Sequence, residues 1–280
     1  MCYCWKVNDF ILKYKFPAVV FFISVVLIFS SLLFKLEQEK EAELNYQKFL
    51  VAQKAQIETE IKIAQDAKEK IYLLGKFDPS TRDDFAPVPT TYGISGYKMY
   101  LRKETLDAFL QMALAADKDG VDIKMASATR NFIYQKNLWN NKWVGFAKSV
   151  PDGMERFEKI LEYSAVPGTS RHHWGTDIDI NAATPQYFNT EQGEKVYNWM
   201  TKNAWIYGFC QPYTAKNENR PEGYNEEKWH WTYLPLAKTF TEDYKNLVND
   251  SDISGFDGDQ YVSGQDLINK HVLGINPDCL

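Results

Sequence analysis

The chain has 280 residues, 45% of them hydrophobic, which is enough for one large domain and an appendage. Its formal net charge of -5 supplies no basic field to hold a polyanion, which argues against a nucleic-acid partner. Histidine is scarce: there are four, and His172, His173 and His230 fall in two short segments that also carry carboxylates. A search for a metal site begins there.

Residues 1–15 read as a short N-terminal tail. From Phe16 to Phe34 there is no charged residue, and about 19 residues at 1.5 Å each nearly match a ~30 Å hydrocarbon core. The stretch ends Ser30-Ser31-Leu32-Leu33-Phe34-Lys35 rather than in a small-residue cleavage site, so it reads as an uncleaved single-pass signal anchor. Lys6, Lys13 and Lys15 before it are matched by Lys35, Lys40 and Lys48 after it, so charge alone does not set the topology. Residues 35–75 are rich in Glu, Lys, Gln and Ala, with no Gly or Pro before Gly75; this predicts a helical stalk that Gly75 ends. Ile57, Ile61, Ala64 and Ala67 form a weak stripe without sustained heptads, which favours a solvated spacer over a coiled coil.

The main domain is expected over 76–250. Residues 76–100, with Pro79, Pro87 and Pro89, read as an extended lead-in. Leu106, Phe109, Leu110, Ala113 and Leu114 mark one face of a helix ended by Gly120. Val121, Ile123 and Met125 alternate with Asp122, Lys124 and Ala126 as in a half-buried strand. Further helices are expected over 132–143, after Gly153, from Val196 to a stop at Gly208, and from Leu236 to Leu247. Ile178 and Ile180 alternate with Asp177 and Asp179, which places both carboxylates on one strand face, and 228–233 reads as another strand. Helices and short strands without βαβ alternation predict an α+β domain. Residues 251–280 form a C-terminal extension of unassigned role. The four cysteines (2, 4, 210 and 279) show no zinc-finger or disulfide-framework spacing, and a Cys210–Cys279 bridge, which needs an extracytoplasmic domain, is left open.

Chemistry concentrates in three segments. Ser170-Arg171-His172-His173-Trp174-Gly175-Thr176-Asp177-Ile178-Asp179 can supply two metal ligands, His172 in a loop and Asp179 on the following strand, with Gly175 allowing the return between them. Asn225-Glu226-Glu227-Lys228-Trp229-His230-Trp231 adds a third ligand, His230, and a carboxylate, Glu227, placed to serve as general base beside a zinc-activated water. Trp229 and Trp231 suit core packing as well as a substrate wall. In Ser127-Ala128-Thr129-Arg130-Asn131-Phe132-Ile133-Tyr134-Gln135, between a strand and a helix, Arg130 can face the cleft and meet a developing oxyanion.

Together these segments resemble the VanY-like D-alanyl-D-alanine carboxypeptidases, of the superfamily named for lysostaphin, these carboxypeptidases and sonic hedgehog. The pattern Ser-x-His-x-x-Gly-x-Ala-x-Asp matches Ser170, His172, Gly175 and Asp179. The pattern Glu-x-Trp-His matches Glu227, Trp229 and His230, and Ser-x-x-Arg-x-x-x-x-Gln is similar to Ser127, Arg130 and Gln135. The resemblance implies a hedgehog/DD-peptidase-like domain with a small antiparallel sheet flanked by helices. It implies Zn2+ on His172, Asp179 and His230, Glu227 as base, Arg130 polarising the carbonyl, and Ser170, Gln135 and Trp229 at the substrate. Asp177 departs from the family's Ala; the His-x6-Asp spacing favours Asp179 as ligand and leaves Asp177 to orient one. His173 and His271 fit no motif position and are read as non-ligands.

The implied activity is D,D-carboxypeptidase action on peptidoglycan stem peptides, with the domain in the periplasm or outside the cell. The alternatives are an L,D-carboxypeptidase or endopeptidase on the same fold, and, in another class, a non-catalytic metal-containing module that binds cell wall. Glu227 and Arg130 weigh against the module, since a structural metal needs neither.

Overall fold

The computed structural model describes residues 4–94 and 96–280, with side chains from Pro17 onward. Two compact units are present, Met1–Ala64 and Gln65–Leu280. Helix α1 (Cys4–Leu73) begins inside the segment read as a tail; residues 1–3, with Cys2, lie outside the described residues. In the first unit its apolar residues, among them Phe21, Phe22 and Ile28, are exposed, and the helix is long and apolar enough to cross a membrane. Ile57 and Ile61 are exposed as well.

The second unit begins at Gln65, eleven residues before the expected start at 76. Leu73 and Leu74 are buried in one core cluster with Trp174, Tyr244, Val248 and Val272. The Tyr72 hydroxyl donates to the Trp174 carbonyl (2.5 Å), and Trp174 Nε1 donates to the Leu73 carbonyl (3.2 Å). The last turns of α1 therefore belong to the domain core rather than to a stalk. Gly75, at φ +71°, turns the chain out of the helix.

Strands β1 (Phe85–Pro87), within the segment read as extended, and β2 (Tyr100–Arg102), which starts at its last residue, pair antiparallel. Helix α2 (Lys103–Lys118) buries Leu106, Phe109, Met112, Ala113 and Ala116 on one face and gives way to Gly120, at φ +69°. β3 (Met125–Ser127) is shorter than the alternation over 121–126 predicts. Val121 and Ile123 are buried as expected, but the Lys124 backbone pairs with Asn181, side chain and backbone, instead of extending a ladder. α3 (Phe132–Phe146) starts at Asn131, whose side chain accepts from the Tyr134 amide. α4 (Gly153–Leu161), β4 (Asp177–Ile180), α5 (Pro185–Phe188), α6 (Glu191–Asn203), β5 (Phe209–Cys210), β6 (His230–Tyr233) and α7 (Leu234–Leu247) follow.

The main sheet is antiparallel throughout, in the order β3-β4-β6-β5, and helices flank it, so the domain is α+β as its pattern predicts. Its largest core packs α2 and α6 against Ile178, Ile180 and Trp231. The extension folds onto the domain: Ile253, Phe256, Val262, Leu267 and Ile275 share a core with Trp139, Phe157, Tyr213 and Tyr224. A disulfide joins Cys210, on β5, to Cys279, closing the pairing that sequence left open.

A fragment starting at Lys76 should be much less stable than one starting at Gln65, because it loses two buried leucines worth about 2–5 kcal/mol each when truncated. Urea unfolding of the two fragments measures this, and equal midpoints would contradict the assignment of α1's last turns to the core.

Candidate metal centre and substrate cleft

Sheet register brings the three chemical segments together. Ser127 on β3 is opposite Asp179 on β4, and Asp179 is opposite His230 on β6, with Asp177 opposite Thr232 two residues away. Asp177 and Asp179, two apart on one strand, share a face. The 3-10 turn Arg171–Trp174 ends in Gly175 at φ +75° and delivers His172 to the same face. A tight turn, closed by the His230 amide donating to the Glu227 carbonyl (3.2 Å), sets Glu227 beside His230. Backbone bonds to Tyr213, and from Gln211 Nε2, fix the Glu227 main chain.

One ligand atom from each of His172, Asp179 and His230 lies within 4.8 Å of the others, and all three residues are buried. His172 Nδ1 donates to the Ala128 carbonyl (2.8 Å), which leaves the lone pair of Nε2 facing Asp179 Oδ1 at 3.2 Å. His230 Nε2 donates to Asp177 Oδ1 (2.9 Å), which turns its Nδ1 lone pair toward Asp179 Oδ1 (3.4 Å) and Glu227 Oε2 (3.3 Å). Acceptors packed this closely repel unless a cation or proton lies between them. Around an ion with bonds of 2.0–2.1 Å, neighbouring tetrahedral donors are about 3.3 Å apart, so His172 Nε2, Asp179 Oδ1 and His230 Nδ1 fit a divalent metal.

Asp177 sits on this face against the far nitrogen of His230. Beyond His230 it meets Arg171 Nε (3.3 Å), Thr176 Oγ1 (2.6 Å) and Thr232 Oγ1 (3.0 Å), and Arg171 is further tied to Thr232 and Thr241. Burial raises the Asp177 pKa, but Arg171 and the His230 bond outweigh it and hold the carboxyl well below the usual range. Asp179 behaves alike: burial opposes ionisation, and His172 and His230 overcome it. Burial holds His172 below its ordinary value, whereas for His230 burial is overridden by bonds to Asp177, Asp179 and Glu227, which raise it well above. Burial also lifts Glu227 above the ordinary carboxylate value, with His230 opposing. A carboxylate lifted in this way accepts a proton more readily near neutrality.

Arg130 reaches the centre through Nη2, 3.7 Å from Asp179 Oδ2. His173, outside every motif, helps hold it there. Its Nε2 accepts from the Gly168 amide and its Nδ1 donates to the Arg130 carbonyl (2.5 Å), while the Arg130 amide donates to the His172 carbonyl. Burial drives His173 down to about 3, so it stays a neutral ring. A Cβ on Gly75 would lie 2.4 Å from this ring, so the end of α1 approaches the supports of Arg130 as only glycine allows.

A cleft of about 220 Å³ opens on the centre and is lined by every residue expected at the site except Asp177. Trp229 is buried in the core and also lines the cleft. Arg130 Nε and Gln135 Oε1 are buried without hydrogen-bond partners, as is the hydroxyl of Tyr224, another lining residue. Lys142, Tyr213 and Tyr224 also line it and were missed from sequence; Lys142 alone left a signal, seven residues after Gln135 on one helix face.

Residues 98–236 match the family model described as VanY, D-alanyl-D-alanine carboxypeptidase. YodJ of Bacillus subtilis (strain 168) is 30% identical over 169 residues, 58% of this chain and 56% of the relative. A D-alanyl-D-alanine carboxypeptidase of Enterococcus faecalis (strain ATCC 700802 / V583) is 27% identical over 157 residues, 54% of this chain and 56% of the relative. The chain thus spans little more than half the length of these relatives. Among solved structures, that of the LdcB LD-carboxypeptidase aligns at 26% identity and a TM-score of 0.45, covering 62% of this chain and 81% of that one.

Two outcomes follow from the geometry. Asp177→Asn should weaken zinc binding by about 10–100-fold, because the partner that sets the His230 tautomer loses its charge; competition with a chelating dye measures it, and wild-type affinity would show that Asp177 does not orient the ring. Because bonds to Asp177, Asp179 and Glu227 raise the pKa of the metal-free His230 well above its ordinary value despite burial, and the ring must be neutral to bind, zinc affinity should rise with pH. Calorimetry in buffers of different ionisation enthalpy counts the released proton, and a count of zero would contradict the arrangement.

Proposed function

We propose that the chain is a VanY-like carboxypeptidase, a reading that the match over residues 98–236 supports, and that it is a zinc-dependent D,D-carboxypeptidase hydrolysing the terminal D-Ala-D-Ala bond of peptidoglycan stem peptides. The observation that carries this reading is the convergence of three metal-donor atoms with Glu227 at 3.3 Å from one of them. Zinc held by His172, Asp179 and His230 would supply Lewis acidity, lowering the pKa of water and polarising a peptide carbonyl. Glu227 takes the proton of the attacking water and returns it to the departing amine. The Arg130 guanidinium faces the carbonyl oxygen where negative charge develops. Gln135, whose Oε1 has no partner while its Nε2 is committed to the Ala165 carbonyl, accepts a substrate N–H. Ser170 and Trp229 border the same cleft and complete the substrate contacts. Asp177 touches no substrate; it positions His230.

The substrate requires the domain to lie outside the cytoplasm. Two features support this: an N-terminal helix apolar enough to anchor in a membrane, and the Cys210–Cys279 disulfide, which persists in oxidising compartments.

Glu227→Gln should retain the metal, since the three donors remain, and lose about 10²–10⁴-fold in hydrolysis of muropeptides. Mass analysis of products beside metal content checks both halves. Cleavage within a few-fold of wild type would remove Glu227 from the chemistry, and wild type that binds murein without ever cleaving it would favour a binding module.

A further inference from the structure

Three cationic side chains line the cleft, and they are not equally committed. Arg171 is fully buried and is bonded to Asp177, Thr232 and Thr241. Arg130 lies against Asp179. Lys142 has no carboxylate within ion-pair distance among the described residues, and its ammonium donates to the Ser164 hydroxyl across the cleft wall. It extends from α3 on the face that carries Gln135 and Leu138, both of which also line the cleft. Desolvation and the charge of Arg130 hold its pKa below the ordinary lysine value, with Glu227 acting in the opposite sense. An ammonium that senses a neighbouring guanidinium and has no acid of its own is a site for an anion brought from outside.

A carboxypeptidase substrate brings two negative charges to such a cleft. One is transient, on the oxygen of the scissile carbonyl; the other is the permanent carboxylate of the terminal residue. Arg130, beside a donor of the metal centre, is placed for the first. We propose that Lys142 captures the second, binding the free C-terminal carboxylate of the substrate with the Ser164 hydroxyl beside it. This inference rests on the carboxypeptidase reading and deepens it. Lys142 then sets exopeptidase specificity: a chain that continues past the scissile residue, or ends in an amide, offers no anion at this point.

The test compares an acyl-D-Ala-D-Ala peptide with its C-terminal amide, using the zinc-loaded full chain in detergent. Hydrolysis and calorimetric binding are measured for wild type, Lys142→Met and Lys142→Arg. Methionine is a good helix former, so the variant keeps α3. Wild type should prefer the acid by about 10- to 100-fold, the reach of one charge-assisted hydrogen bond. Lys142→Met should lose that preference, mainly through KM on the acid, while changing the amide by less than about 3-fold; Lys142→Arg should recover part of it. Equal losses on acid and amide, or a wild type that cleaves both equally, would overturn the inference and leave the carboxypeptidase reading intact. A wild type that cleaves neither peptide yet binds the acid better through Lys142 would uphold the inference and overturn that reading.

Discussion

Three lone pairs pointed at one place are the constraint on which the rest of the domain depends. His172 Nε2, His230 Nδ1 and an Asp179 oxygen cannot sit within 3.2–3.4 Å contacts for long without positive charge between them. The protein fixes each of them from behind. The Ala128 carbonyl takes the other proton of His172, and Asp177 takes that of His230. Asp177 is itself kept charged in a buried place by Arg171 and two threonine hydroxyls. A buried ion pair with every lone pair answered is costly to build and costly to break. Its return here is a single tautomer of His230 rather than stability.

The supports are long-range. Arg130 is tied to the His172 loop through its own amide and through His173, and Gly75 lies close against that ring. The two cleft tyrosines are backed by the C-terminal extension, where His271 packs edge-on against Tyr224 and the Asn276 amide donates to the Pro212 carbonyl. A disulfide ties the end of that extension to β5. Segments from both ends of the second unit therefore brace a site that the middle of the sequence builds.

Much of this was legible from residues alone because the chemistry is local in sequence. His172 and Asp179 are joined by one Gly turn and one strand, and Glu227 and His230 by one tight turn, so spacing already implies approach. Strand alternation placed Asp177 and Asp179 on one face, and the structure puts both on His230. Features set by contacts across the fold were not legible. No local pattern says that Leu73 and Leu74 are core, since the helix running into them reads as continuous. Arg171 resembles any loop arginine until Asp177 is seen beside it. The alternation over 121–126 promised a full strand, but Asn181 took the backbone bonds of Lys124.

The most direct test of the metal centre is an anomalous difference map at the zinc edge from crystals of the zinc-loaded domain. One peak, within about 2.0–2.2 Å of His172 Nε2, His230 Nδ1 and an Asp179 oxygen, with Asp177 bonded only to the far nitrogen of His230, is the result the account predicts. A peak bonded to Asp177, or none in this cleft, would contradict it.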